Sequence, residues 1–239
     1  MTVKAVLFDL FDTLLIIRKN HDFYRPSLKR MYGFLYRNGI EVPIEKFQAA
    51  YEKAREQLYA KADANLEEPH FNIRTALTLN LLGYNCGDSS PLVKKASAEW
   101  CQEFAKYVFP DEDAEFLLRG LCNKYKLGVV SNYAIPECAE RLIEKYKLTE
   151  MFGTVIISGA VNKRKPSPEI FDRALKELGI SATEAVFVGD TWDADVEGAK
   201  ATGMKAIYIK RRDERPVENA VPDVTVVSLK EIPAVLSRF

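Results

Sequence analysis

Short, almost continuous apolar runs recur along this chain, and they restrict its possible folds more than any other feature. They lie at residues 3–9, 127–131, 154–158, 185–189, 205–209 and 224–227. Between most of them, apolar residues are spaced as on one face of a helix. Apolar strands that alternate with helices are typical of a parallel sheet covered on both faces. The sequence therefore predicts an α/β fold with a doubly wound parallel sheet.

One long stretch interrupts this alternation. From about residue 16 to residue 109 the sequence shows no convincing strand, and its apolar spacing is helical, with predicted helices ending at Gly39 and Gly83. We therefore predict a core made of residues 1–15 and 110–239. Residues 16–109 are predicted to form a separate subdomain of three or four helices.

Charge and cysteine usage narrow the expected partners and compartment. The 239 residues include 34 Lys plus Arg and 34 Asp plus Glu, so the formal charge is zero with the histidines neutral. No net field recruits nucleic acid or an anionic membrane, and the basic pair Arg211–Arg212 is expected on the solvated surface. The four cysteines form no C-x-x-C pair, which favours reduced thiols. We expect a cytoplasmic monomer or homodimer that acts on a small-molecule substrate, without nucleic-acid or membrane partners.

Polar and charged residues come directly after four of the predicted strands. They are Asp9, Ser131 with Asn132, the region around Lys165, and Asp190. Ligands of open parallel sheets bind beyond the carboxyl ends of the strands. We therefore expect these side chains to converge on one crevice.

The predicted crevice would hold several carboxylates. Asp9, Asp190 and Asp195 would repel one another in a partly buried site, and Mg²⁺ relieves such repulsion while keeping water and substrate oxygens as ligands. Acidic residues are common in the first turn of helices that bind no metal, so Asp195 alone does not indicate a metal site. Asp9, at the end of an apolar run, is also placed to act as a nucleophile.

The set of strand ends resembles a known family. Four stretches, in order and each after a predicted strand, resemble the four motifs of the haloacid dehalogenase superfamily: VLFDLFDTLL, VVSN, KPSPEIF and VFVGDTWDADVEGA. The resemblance implies a hydrolase with a Rossmann-like core and a helical cap inserted after the first motif.

The resemblance also implies roles for individual residues. Asp9 would be the nucleophile, Ser131 and Asn132 would hold the transferring group, and Lys165 would neutralise charge and orient the reactants. Mg²⁺ would be held by Asp9, the main-chain carbonyl of Phe11, Asp190 and Asp195, the last directly or through water.

Phe11 departs from the phosphatases of the superfamily, which generally place an acidic Asp two residues after the nucleophile. Losing a general acid typically costs about 10²–10⁴ in rate. Asp12 lies one residue further on, at a position where phosphatases of the superfamily often carry Gly, Asn or Asp, so the resemblance does not assign it the role of the acid.

Three functions stay open. The first is a Mg²⁺-dependent phosphatase that acts on a small phosphorylated metabolite through an aspartyl-phosphate on Asp9. The second is a 2-haloacid dehalogenase with an ester on Asp9, because halide leaves as an anion and needs no acid. The third is a binding or regulatory module with little activity. The carboxylates of Asp190 and Asp195 favour the first, because such dehalogenases generally carry uncharged residues in the fourth motif.

Substrate choice is expected to lie in the helical subdomain. Near its start, Arg18, His21, Tyr24 and Arg25 are candidates to contact an anionic or aromatic substrate.

Overall fold

The computed structural model describes residues 2–18, 22–211 and 221–239, so His21 and Arg212 lie outside the described residues. Apart from single 3₁₀ turns, the helices and strands of the described residues are, in chain order, β1 (Ala5–Phe8), β2 (Leu15–Ile17), α1 (Tyr24–Arg37), α2 (Ile44–Ala62), α3 (Phe71–Leu81), α4 (Pro91–Phe104), β3 (Val108–Pro110), α5 (Ala114–Leu121), β4 (Lys126–Ser131), α6 (Pro136–Lys145), β5 (Thr154–Ile157), α7 (Ser158–Val161), α8 (Pro168–Leu178), β6 (Ala185–Gly189), a π-helix (Trp192–Glu197), α9 (Gly198–Thr202), β7 (Lys205–Ile209), β8 (Val224–Val226) and α10 (Ile232–Leu236).

A parallel sheet forms the centre of the structure. Within the described residues its order is β5-β4-β1-β6-β7-β8, and β1 pairs in parallel with both β4 and β6. The chain therefore builds the sheet outwards in two directions from β1. At such a reversal of strand order, an open sheet leaves a crevice beyond its carboxyl edge. The predicted doubly wound, Rossmann-like α/β fold is confirmed.

Both faces of the sheet are covered. Val6 and Phe8 of β1 belong to one hydrophobic cluster, while Ala5 and Leu7 belong to another on the opposite face. Successive strand residues point to opposite faces, so a strand covered on both sides must be apolar throughout. This burial explains the continuous apolar runs in the sequence.

Four helices, α1 to α4, lie between residues 22 and 107, a range that is described in full. We call them the helical insertion. Helix α1 packs on α4, and α2 packs on α3. Aromatic rings fill the space between them, with Tyr51 stacked on Trp100 at 6.2 Å between centroids and Arg74 lying 3.6 Å above the Tyr51 ring. The insertion occupies the stretch whose spacing predicts helices, and its function as a cap stays a prediction.

The prediction of no strand between residues 16 and 109 is wrong at both ends. Strand β2 pairs in antiparallel fashion with β3, with Leu15 opposite Pro110 and Ile17 opposite Val108. Helix α4 correspondingly ends at Phe104. Three-residue strands are too short to show an alternating pattern, and their pairing depends on a partner about ninety residues away in the chain. This ribbon joins the helical insertion to the core.

A second connection runs from the loop after α7 to the segment that follows α2. The backbone N–H of Arg164 donates to the carbonyl oxygen of Leu66 at 2.9 Å, and its guanidinium donates to the carbonyl oxygen of Glu67 at 3.1 Å. The Lys163 ammonium donates to the carbonyl oxygen of Asn65 at 3.0 Å. We call this set of bonds the clamp.

No helix in the described parts of the chain is long and apolar enough to cross a membrane.

Candidate active site

A buried ion cluster lies at the carboxyl end of β1. Asp9 directly follows this strand and is 7% exposed, and its backbone N–H donates to the Val188 carbonyl oxygen at 2.9 Å. The Lys165 ammonium, 3% exposed, donates to Asp9 Oδ1 at 2.6 Å and to Asp195 Oδ1 at 2.6 Å. One buried ammonium therefore bridges two buried carboxylates that are far apart in the sequence.

The π-helix that follows β6 turns Asp195 back towards the strand. The Asp195 N–H donates to the carbonyl oxygen of Thr191 at 3.0 Å, and the Thr191 N–H donates to Asp195 Oδ2 at 2.9 Å. Gly189 leaves room for this carboxylate, because a Cβ atom there would lie 2.3 Å from Asp195 Oδ2. π-Helical turns of this kind are frequently found at functional sites.

Asp9, Asp190 and Asp195 together offer oxygen ligands to a cation. One carboxylate oxygen from each lies within 4.8 Å of the other two, and all three residues are buried. When ionised, they place two more negative charges in the cluster than the ammonium of Lys165 neutralises. A hard divalent cation fits this donor set, since carboxylate oxygens are the ligands that Mg²⁺ prefers.

The pKa values reflect this crowding of charge. Burial raises the pKa of Asp9, against the opposing effect of Lys165, and the neighbouring Asp190 raises it further. Burial likewise raises the pKa of Asp195 to about 6, again opposed by Lys165. Burial alone would lower the pKa of Lys165, but Asp195 and Asp9 outweigh it and the net shift is upward. The ammonium therefore stays charged, while the carboxylates lack enough positive charge nearby.

Ser131 and Asn132 reach the same place from β4. Ser131 is the last residue of the strand and is buried at the edge of the crevice. The Asn132 side chain is bonded to the Lys165 backbone, accepting from its N–H at 2.7 Å and donating to its carbonyl oxygen at 3.0 Å. Asn132 thus positions the backbone of Lys165. Its predicted part in holding the transferring group stays a prediction, as does that of Ser131.

The turn after Asp9 is fixed by Asp12 and by Arg211, whose role the sequence did not indicate. Asp12 has a φ of +57°, and its Oδ1 accepts from the Ile17 N–H at 3.0 Å. Arg211 donates to the carbonyl oxygens of Asp12 and Thr13, each at 3.1 Å, and to Asp111 Oδ2 at 2.7 Å. The prediction that Arg211 is a solvated surface residue is therefore wrong, because its guanidinium holds the turn that carries Phe11.

A cavity of about 520 Å³ opens above the cluster. Its charged floor consists of Asp9, Lys165, Asp190 and Asp195. Further polar residues also line the cavity, namely Asp12, Ser131, Asn132, Arg164, Thr191 and Asp193. Its aromatic wall, as we name it, consists of Phe11, Phe23, Phe104 and Tyr133, with Leu66 and Ile17 beside it. The cavity therefore joins an ionic floor from the core to an apolar wall that is partly built by the helical insertion.

The other predicted substrate contacts lie elsewhere. The Arg18 guanidinium lies 4.3 Å above the Phe109 ring, and Arg25 is exposed. The Tyr24 hydroxyl donates to Glu52 Oε1 at 3.1 Å within the helical insertion. None of the three is among the described residues that line the cavity.

The sequence of residues 3–203 matches the family described as haloacid dehalogenase-like hydrolase. The chain belongs to this family. It is therefore a hydrolase, and the resemblance of its four motifs is confirmed.

Several relatives of this hydrolase are phosphatases. A glyceraldehyde 3-phosphate phosphatase of Methanopyrus kandleri is 30% identical over 235 residues, which cover 96% of this chain and 95% of the relative. An N-acylneuraminate-9-phosphatase of Rattus norvegicus is 25% identical over 243 residues, which cover 99% and 95%. A 2-haloacid dehalogenase from Pseudomonas syringae has a TM-score of 0.73 at 23% identity over 99% of both chains, which shows a common fold.

Proposed function

We propose that this hydrolase is a Mg²⁺-dependent phosphatase that transfers the phosphoryl group of a small phosphorylated metabolite to Asp9 and then to water. The observation that carries the proposal is the buried cluster in which Lys165 bridges Asp9 and Asp195 and Asp190 adds a third acidic ligand. The phosphatases among the relatives support it.

The proposed reaction has two steps. A carboxylate oxygen of Asp9 attacks phosphorus, the bond from phosphorus to the leaving oxygen breaks, and an acyl phosphate forms on Asp9. Water then attacks phosphorus, the bond to Asp9 breaks, and phosphate leaves. Lys165 holds the Asp9 carboxylate in place in both steps, and the Ser131 hydroxyl donates to a phosphoryl oxygen.

A bound Mg²⁺ would be held by Asp9, the main-chain carbonyl of Phe11, Asp190 and Asp195. It would supply the positive charge that allows a dianionic phosphate to approach a carboxylate nucleophile. Lys165 alone is insufficient for this, since its single charge is already shared between two carboxylates.

A 2-haloacid dehalogenase is the second candidate, because Phe11 occupies the position of the usual phosphatase acid and departure of halide needs none. The same nucleophile would displace halide from carbon. The buried Asp190 and Asp195 argue against it, because a reaction without a metal has no use for their charge.

One set of assays tests the proposal. Release of phosphate from para-nitrophenyl phosphate and acetyl phosphate is measured with Mg²⁺ and with a chelator, and halide release is measured from 2-chloropropionate. We expect Mg²⁺-dependent phosphate release that Asp9→Asn and Asp195→Asn abolish. The matched control Glu197→Gln, an exposed acid in the same π-helix as Asp195, should retain activity.

Halide release without metal would instead support the dehalogenase. Silence in all of these assays and with a broad panel of phosphorylated metabolites would favour a binding or regulatory module. The cytoplasmic location and the monomeric or dimeric state remain predictions from the sequence.

A further inference from the structure

We infer that the preferred substrates are phosphate esters whose leaving group is flat, apolar and weakly basic, of which aryl phosphates are the simplest class. The inference rests on the proposed phosphatase function and specifies the substrate of the same site. Two features of the cavity carry it: the aromatic wall, and the ring of Phe11 at the position where an acid would serve the leaving group.

The aromatic wall is a continuous set of rings in contact. Phe11 lies 5.5 Å from Phe104 and 4.8 Å from Tyr133, measured between ring centroids. Phe104 in turn lies 4.7 Å from Phe23 and 5.3 Å from Tyr133. Such distances are those of packed aromatic pairs. The rings come from the turn after β1, the start and end of the helical insertion, and the loop after β4, so the fold assembles one apolar surface from four distant places.

The leaving group of a substrate bound at Asp9 would lie beside this surface. Phe11 lies two residues beyond Asp9, and its ring lines the same cavity as the Asp9 carboxylate. A phosphoryl group bound to the charged floor would therefore direct its ester substituent along the aromatic wall. A substituent rich in hydroxyl groups would lose water there without gaining hydrogen-bond partners from the rings, which is costly. A flat apolar ring would instead stack against the wall.

The other acids of the cavity are bonded to backbone. Asp12 Oδ1 accepts from the Ile17 N–H at 3.0 Å, and Asp193 Oδ1 accepts from the Ala194 N–H at 2.8 Å. The Tyr133 hydroxyl points at a cysteine sulfur 3.8 Å away. None of them takes the position of the Phe11 ring, so in the first step the leaving oxygen departs with the bonding electron pair and without a proton from an acid at that position.

Departure without a proton makes the rate depend on how basic the leaving oxygen is. An alkoxide is a poor leaving group, whereas a phenoxide spreads its charge over the ring and leaves readily. An acid normally removes much of this difference, with an effect of about 10²–10⁴ in rate. With Phe11 in that position the difference persists, and the phosphate esters that react fastest are those of phenol-like compounds.

The test compares three kinds of substrate at saturating Mg²⁺. They are a series of ring-substituted phenyl phosphates, glycerol phosphate, and acetyl phosphate, whose leaving group is weakly basic but has no ring. We expect kcat/KM for phenyl phosphate to exceed that for glycerol phosphate by at least about 10²-fold. Within the phenyl series, log kcat/KM should fall steeply as the pKa of the phenol rises.

Variants separate the two features. Phe11→Asp should raise kcat/KM for glycerol phosphate by about tenfold or more and make the dependence on phenol pKa shallower, because it restores an acid. Phe11→Leu, which is apolar and carries no acid, should leave that dependence steep. Phe23→Leu, at the half-buried edge of the wall, should lower kcat/KM for phenyl phosphate about two- to tenfold more than kcat/KM for acetyl phosphate, because only the phenyl ring loses an aromatic contact.

The outcomes distinguish the inference from the proposed function. If acetyl phosphate is hydrolysed but phenyl phosphate is no better a substrate than glycerol phosphate, the inference is wrong and the phosphatase stands. The inference is also wrong if Phe11→Asp changes kcat/KM by the same factor for all substrates. If no substrate releases phosphate, the proposed function itself fails.

Discussion

Replacing Lys165 with methionine tests the buried cluster on which the proposed function depends. Methionine keeps most of the volume of the side chain and removes only the ammonium. Each of the two contacts to Asp9 and Asp195, at 2.6 Å, corresponds to about 6 kcal/mol at an effective dielectric constant of 20, before the cost of burying the ammonium is subtracted. Breaking a buried ion pair by removing one partner typically costs about 3–5 kcal/mol of the free energy of unfolding.

The assay is urea unfolding at neutral pH, in a chelator and in Mg²⁺. In the chelator we expect Lys165→Met to lower the free energy of unfolding by about 3–5 kcal/mol. Mg²⁺ should stabilise the variant more than the wild type, because the cluster has lost a positive charge, and each tenfold gain in affinity adds about 1.4 kcal/mol.

Lys106→Met is a matched control. The Lys106 ammonium lies 2.6 Å from Glu103 Oε2, the same distance as in the cluster, but its side chain is 58% exposed. The loss there should be at most about 1 kcal/mol. The reasoning fails if Lys165→Met lowers the free energy of unfolding no more than Lys106→Met does. It also fails if Mg²⁺ stabilises Lys165→Met and the wild type equally, because the charges of the cluster would then not act on one another.

Three further measurements test other parts of the structure. Gly189→Ala places a Cβ 2.3 Å from Asp195 Oδ2, so it should cost about 1–3 kcal/mol and weaken Mg²⁺ binding in a calorimetric titration. The control Gly120→Ala, with nothing within 4 Å, should be neutral or stabilising. Burial raises the pKa of Glu68 above its usual 4.5, so the folded state binds more protons and stability falls as pH rises from about 4.5 through the raised value. Glu68→Gln should therefore be more stable than the wild type above this range and no more stable below it, as measured by unfolding at several pH values. Finally, para-nitrophenyl phosphate should give a burst of about one nitrophenolate per enzyme molecule. The first step needs no acid for this leaving group, whereas hydrolysis of the acyl phosphate on Asp9 lacks a base at position 11 and is slower. Linear release of nitrophenolate from the first turnover would contradict this.

The core could be predicted because its strands and the polar residues after them are visible in short stretches of sequence. A strand buried on both faces has to be apolar along its whole length, and in a parallel sheet the residue after each strand lies at one common edge. Asp9, Lys165 and Asp195 could therefore be placed together from the sequence, and the structure does bring them into contact.

The remaining features depend on contacts that the sequence does not display. The β2–β3 ribbon has too few residues for a recognisable period. Arg211 looks like any basic residue next to another, and only the folded chain shows that it holds the turn after Asp9. The aromatic wall is similar, because Phe23 and Phe104 resemble ordinary helix-packing residues in the sequence, and only the folded chain brings Phe104 into contact with both Phe11 and Phe23.

The clamp has a consequence for exchanging parts between relatives. Arg164 and Lys163 donate hydrogen bonds to the backbone carbonyl oxygens of residues 65–67. The residue that follows Arg164 is Lys165, the lysine of the ion cluster. If only the helices of a homologue are transplanted, Lys163 and Arg164 lose the carbonyl oxygens to which they donate. The adjacent lysine of the ion cluster would then shift. A working chimaera should therefore transplant the 163–164 dipeptide together with the helices it holds.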